Sequence, residues 1–179
     1  MYPYFVKLKN KHNFSDYTSA EERVSYARRI SYTKAESIHN SEAYDYIPEE
    51  FRKLFGLNVM RITDQVPPHT DSRILTCINF YIKTQDAVTT FYEPVDEVSR
   101  FQIPNQTDGY VFKQDNLSKV AQFCAQPGDA FVLNVAKIHS VYSNTTLNER
   151  IALTLGTPVA FDKVCKMLAQ TGNIEINKE

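Results

Sequence analysis

With 179 residues and a formal charge of -1, the chain has no basic field to grip a phosphate backbone, so a dedicated nucleic-acid binder is not expected. Hydrophobic residues at 42% and charged residues at 23% suit one soluble globular domain with a real core. Aromatic residues reach 12%, all Tyr and Phe, which favours strands over helices because such rings pack well on a pleated surface.

The cysteines, Cys77, Cys124 and Cys165, are odd in number and widely spaced, which argues against a disulfide framework or a thiolate zinc site. No basic segment followed by an apolar stretch opens the chain, and no apolar run approaches membrane-spanning length. The expectation is a protein of the reducing cytoplasm, with no membrane partner.

In chain order, residues 1–56 read as a mixed, partly helical N-terminal support. Tyr2, Tyr4 and Phe5 suit either a dimer contact or a cap on the domain. Over residues 20–30 (AEERVSYARRI) the spacing of Val24, Ala27 and Ile30 behind an acidic start predicts a helix. Residues 48–56 (PEEFRKLFG) predict a short helix with Pro near its start and Gly56 as its stop.

From Leu57 the pattern changes to short strands: 57–62, 74–83, 88–92, 109–113, 119–125, 130–135, 138–142 and 151–157. Turns such as QPGD (126–129) and SNTTLNE (143–149) separate them. This spacing predicts a β sandwich or barrel over about 57–157. Residues 161–169 predict a closing helix, with Gly172 soon after, in a C-terminal segment of about 158–179. The long polar connection from Glu93 to Tyr110 reads as a lid, a substrate loop or a surface insertion.

Of the histidines His12, His39, His69 and His139, the informative one is His69, in Pro67-Pro-His-Thr-Asp71. Alternate residues of an extended strand point the same way, so His69 and Asp71 converge. His139 follows on another predicted strand, after enough intervening strands to travel round a jelly roll and return. Two His and one carboxylate on one face make the facial triad of non-haem iron(II), with coordination positions left open for chemistry. Taken singly, each His reads first as a hydrogen-bonded histidine in a half-buried strand.

Arg150 adds a third landmark. It opens the strand after the one carrying His139, and the two are expected to pair as an antiparallel hairpin. A buried arginine is costly without an anion, and a carboxylate held through two nitrogens would satisfy it.

His69-Thr-Asp71, His139 and Arg150, with Gln126-Pro-Gly-Asp-Ala130 before the second His, resemble the 2-oxoglutarate and iron(II)-dependent dioxygenase superfamily. The prolyl-4-hydroxylase-like branch is the nearest match, on Arg73-Ile-Leu-Thr76, the INFYI run and Thr89-Thr-Phe-Tyr92. The similarity covers about residues 57–157. A Tyr of that branch is missing from Asn58-Val-Met-Arg-Ile62, and Asp86-Ala-Val-Thr89 stands where a Gly pair is usual.

The resemblance implies a double-stranded β-helix, a cupin-like jelly roll, in which His69, Asp71 and His139 hold iron(II) and act catalytically. Arg150 would hold the far carboxylate of 2-oxoglutarate, with Asn79 and Tyr81, which share a strand face, as further cosubstrate contacts. It implies O2-dependent hydroxylation with release of succinate and CO2. The substrate would be a protein or peptide residue such as proline, or a small metabolite. Two rivals remain: a cupin-like divalent-metal protein without 2-oxoglutarate chemistry, which has no need of Arg150, and a non-catalytic jelly roll.

Overall fold

The computed structural model describes residues 3–14, 21–25, 30–34, 42–102, 109–143 and 149–175; of 21–25 and 31–34 it describes only the backbone. Tyr2, Ala20, Ala27, His39 and 144–148 of the expected turn over 143–149 lie outside the described residues, as do 103–108 of the expected lid.

The β-branched and aromatic runs form strands β4 (Gly56–Ile62), β5 (Val66–Thr70), β6 (Thr76–Lys83) and β7 (Val88–Pro94). After these come β8 (Arg100–Gln102), β9 (Tyr110–Phe112), β10 (Leu117–Cys124), β11 (Ala130–Asn134), β12 (Ile138–Tyr142) and β13 (Arg150–Thr157). Helix α1 (Phe161–Gln170) closes the described chain, and Gly172, at φ +77°, follows it in the left-handed conformation expected after a helix end. Ahead of these lie β1 (Phe5–Lys7), β2 (Glu21–Ser25) and β3 (Ile30–Lys34).

These strands form two antiparallel sheets, ordered β1-β11-β6-β13-β4-β3-β2 and β10-β7-β12-β5-β9-β8. From β4 to β7, and again from β10 to β13, successive strands fall in opposite sheets, the winding of a jelly roll. Turn chemistry supports it. Gln85 and Asp86 both have positive φ in the tight turn that carries the chain from β6 to β7 of the other sheet, closed by the Ala87 N–H donating to the Thr84 carbonyl at 3.1 Å. Gly128 sits at φ +88° behind Pro127, with the Asp129 N–H donating to the Gln126 carbonyl at 3.0 Å. Any Cβ at Gly128 would also press on the His12 carbonyl at 3.2 Å.

The central strands β11, β6, β13 and β4 of the seven-stranded sheet are buried on both faces. Ile78, Phe80, Leu153 and Leu155 point outward under α1 and the short 3-10 helices Glu42–Tyr46 and Glu49–Leu54. Tyr81, Ala152 and Met60 point inward to meet Phe91, Val66 and Val141 of the opposite sheet. Tyr4 and Phe5 pack on this inner cluster, so among the described residues they cap the barrel. Leu153 is 0% exposed, and Leu153→Ala is expected to destabilise the protein by about 2–5 kcal/mol, readable as a lower midpoint in urea unfolding.

Three expectations are corrected. Glu21–Ser25 is a strand, not part of a helix over 20–30: its backbone pairs with β3, which pairs with β4. An isolated helix of that length is marginal, and a sheet edge already waiting for partners wins. The residues after Pro48 do wind, as a 3-10 helix, but Gly56 is no helix stop; it opens β4. The strands carrying His139 and Arg150 do not form a hairpin. β12 pairs with β5 and β7, and β13 pairs with β4 and β6, so Arg150 reaches the interior from the facing sheet.

Candidate metal centre and anion site

Pro67 and Pro68 keep β5 extended and withhold two ladder donors. The β5–β12 register slips there: His139 faces His69, but Val141 faces Val66, leaving β5 one extra residue across the proline pair. Such a bulge re-aims the side chain beside it. Here it leaves His69 directly opposite His139, with ring centroids 4.3 Å apart. Asp71 follows just past β5, tied by its N–H to the Val135 carbonyl at 3.1 Å.

The three side chains bring ligand atoms within 4.8 Å of one another. Asp71 Oδ1 lies 3.3 Å from His69 Nε2 and 3.8 Å from His139 Nε2. Each imidazole is oriented from behind: Nδ1 of His69 donates to the Pro67 carbonyl at 2.9 Å, and Nδ1 of His139 to the Lys137 carbonyl at 3.0 Å. A carbonyl can only accept, so Nδ1 of each ring carries a proton and Nε2 is the atom turned toward Asp71. Burial, helped by the neighbouring His69, pushes His139 down to about 4, so it is neutral across the physiological range. Burial raises the Asp71 carboxyl, but the adjoining His69 and His139 rings outweigh it and hold the group below the usual carboxylate range. Two imidazole lone pairs and a carboxylate facing one point lack a shared donor, a condition that a divalent cation satisfies.

The second feature lies deeper between the sheets. Arg150 is 1% exposed and heads the largest fully buried side chains. Its Nη2 donates to Thr89 Oγ1 at 3.0 Å, and its guanidinium carbon lies 4.6 Å over the Tyr81 ring. Among the described residues, Nε and Nη1 have no hydrogen-bond partner. Asn79 Oδ1 and Thr154 Oγ1, opposite each other on β6 and β13, are also unpartnered. Asn79 Nδ2 reaches Tyr81 Oη only at 3.4 Å. One further atom lacks a hydrogen bond, Asp129 Oδ1, but it has Lys7 Nζ at 2.8 Å; the other four all line the barrel interior. A buried cation with two unused N–H groups costs several kcal/mol unless an anion completes it.

β7 relates the two features. Phe91 faces His139, and Thr89, the partner of Arg150, is two residues further along. Strand geometry makes that step about 7 Å, the span of a short dicarboxylate between metal and guanidinium. His69, Asp71, His139, Arg150, Asn79 and Tyr81 therefore all line one interior. Thr89 and Thr154 also belong to it, and the sequence did not single them out for a role. Thr89 was legible only within the Thr-Thr-Phe-Tyr run; Thr154 carried no signal beyond facing Asn79 once the register is known.

No protein-family model matches this chain, and no curated protein matches it. Among solved structures it is similar to the non-heme alpha ketoglutarate dependent epimerase SnoN from nogalamycin biosynthesis, at 15% identity and TM-score 0.46, over 76% of this chain and 65% of that one. It is also similar to E. coli ycfD, at 12% identity and TM-score 0.47, over 100% of this chain and 50% of that one. A third is the vicilin from Solanum melongena, at 14% identity and TM-score 0.39, over 97% of this chain and 41% of that one. The chain thus spans less than two thirds of each of these structures. With TM-scores below 0.5, the likenesses decide neither its fold nor its activity.

Proposed function

We propose that this chain is a non-haem iron(II), 2-oxoglutarate-dependent dioxygenase that hydroxylates a protein residue or a small metabolite, with the prolyl-4-hydroxylase-like branch as its nearest kin. The observation that carries this reading is Arg150: a guanidinium buried at 1% exposure, with two N–H groups unused, beside a His-Asp-His cluster. A metal protein without a dicarboxylate cosubstrate has no use for that arrangement.

His69, Asp71 and His139 would hold the metal through two neutral nitrogens and one carboxylate oxygen, leaving the remaining positions to small molecules. When bound, iron(II) and 2-oxoglutarate supply the O2-dependent oxidation that releases succinate and CO2. Arg150 would fix the far carboxylate through Nε and Nη1, while Thr89 keeps Nη2 occupied and the guanidinium in plane. Tyr81 covers one guanidinium face and holds it in a dry interior where charge pairing is strong. Asn79 and Thr154 line the space between and offer unused oxygens to the cosubstrate chain or to water. Phe91 packs on His139 at 5.7 Å between centroids and helps exclude water.

The test is an anaerobic titration of the apoprotein with iron(II) and then 2-oxoglutarate. A weak visible charge-transfer band is expected only when both are present. Iron binding without a band would favour a cupin-like metal protein instead, and failure to bind any divalent metal would end the proposal.

A further inference from the structure

The turn between β11 and β12 supports two of the three candidate metal ligands. Over residues 134–137 the chain reverses, closed by the Lys137 N–H donating to the Asn134 carbonyl at 3.1 Å. The Val135 carbonyl of this turn takes the Asp71 N–H at 3.1 Å, and its Lys137 carbonyl takes Nδ1–H of His139 at 3.0 Å. His69 is aimed separately, by the Pro67 carbonyl. A shift of this one turn would therefore move Asp71 and His139 together and leave His69 behind.

Among the described residues, little packs on the turn from outside. Ala136 and Lys137 are exposed, and Asn134 and Ala136 border an open cleft of about 370 Å³ together with Leu75, Ala160 and Phe161. Hydrogen bonds hold the turn instead. On the β6 side, the Leu75 carbonyl takes the Val135 N–H at 3.1 Å and the Ala136 N–H at 3.4 Å. On the β1 side, the Asn134 N–H donates to the Tyr4 carbonyl at 2.8 Å and Asn134 Nδ2 donates to the Pro3 carbonyl at 2.9 Å. A carbonyl only accepts, so the amide nitrogen is the atom that faces Pro3. Tyr4 extends the link. Its hydroxyl donates to Glu93 Oε1 at 2.6 Å, and the same oxygen lies 3.9 Å from Lys137 Nζ. The Tyr4 ring lies 5.7 Å from Phe91, which itself packs on His139.

Resting on the function proposed above, we infer that Asn134 is a positioning residue of the metal centre. Two of its hydrogen bonds clamp residues 3–4 to the turn, and a third closes the turn itself. The clamped turn fixes the two carbonyls that aim Asp71 and His139. Of the three bonds, the one from Nδ2 depends on the side chain, so a substitution removes it and spares the backbone pairing. Loss of one ordinary hydrogen bond sets the scale, about three- to tenfold in metal affinity. That is less than the loss expected for a group bonded directly to a ligand.

The test follows amide hydrogen exchange in the metal-free full chain and then titrates it with cobalt(II). Asn134→Ala removes the donor, and Asn134→Asp keeps the shape but sets an acceptor against the Pro3 carbonyl. In both, the Asp71 amide is expected to exchange roughly threefold faster or more, while amides of β6 and β13 keep their protection. The dissociation constant for cobalt(II) should rise about three- to tenfold in Asn134→Ala, and further in Asn134→Asp. Asn173→Ala removes a tie of the same chemistry elsewhere, from Nδ2 to the Tyr46 carbonyl at 3.2 Å, and should change neither quantity. Asp71 exchange and cobalt affinity unchanged in both Asn134 variants would overturn the proposal. An equal loss in Asn173→Ala would also overturn it, by showing that any such tie matters as much. A wild type that binds no cobalt would sink the metal centre itself, whereas cobalt held equally by wild type and all variants would sink the clamp alone.

Discussion

Replacing His69 or Asp71 with alanine is expected to empty the metal centre and reduce 2-oxoglutarate turnover below detection. Each supplies one of three atoms gathered within 4.8 Å, and no other His, Cys, Asp or Glu among the described residues joins that group. Outer-shell partners of a metal ligand are already worth about 10–100-fold in affinity or activity. Loss of a ligand itself should exceed that. Two measurements check it together: iron per chain after anaerobic loading, and succinate formed from 2-oxoglutarate. Both should collapse while the thermal midpoint of the metal-free variant stays near that of the metal-free wild type, because the cores on both faces of the seven-stranded sheet are untouched. Full metal content with full turnover in either variant would refute the assignment of the triad.

The second large effect has opposite signs for function and stability. Arg150→Met keeps a long unbranched side chain in the interior but removes the charge. Hydrogen bonds to charged groups are each worth roughly 1.5–3 kcal/mol, so losing the two proposed for Nε and Nη1 should raise the KM for 2-oxoglutarate by about 10²–10⁴-fold. The metal centre should still load with iron. The same change relieves the unpartnered buried guanidinium, so the apoprotein is expected to hold its stability or gain about 1–3 kcal/mol. For a chain of this size that is a rise of roughly 2–4 °C in Tm per kcal/mol. A KM left unchanged would remove Arg150 from the site. A large fall in apoprotein stability would mean that the guanidinium is already satisfied by the protein.

Much of the jelly roll was legible because its strands announce themselves one by one. β12 occupies the expected 138–142, and β4, β6, β7, β11 and β13 lie within two residues of expectation at either end. Their alternation and turn residues are local signals, and local signals survive into the fold. The triad was legible for a related reason: two ligands two residues apart on an extended segment need no tertiary knowledge to converge.

What stayed hidden depends on pairing between strands distant in sequence. Glu21–Ser25 has a pattern compatible with either period, and only the waiting edge of β3 settles it. That Arg150 comes from the sheet facing His139 follows from the winding, which no single strand encodes. Thr154 acquires meaning only from its register with Asn79. β9 falls within the expected 109–113, but its partner β8 was hidden, because a three-residue strand in a polar stretch carries almost no periodicity.

The direct opposition of His69 and His139 has a consequence for the order of events during synthesis. The two rings meet only if strands seventy positions apart find one register, and a slip by a single residue would turn one of them to the wrong face. Pairings between such distant segments are the slow part of folding, since a long loop must close before any contact repays it. If the three residues hold iron as proposed, a growing chain that displays only His69 and Asp71 would have two of the three donors, too few to trap it firmly. The third donor arrives late, and Arg150 later still. Under the proposed function, metal uptake would thereby be deferred until the barrel that shields its reactivity is in place.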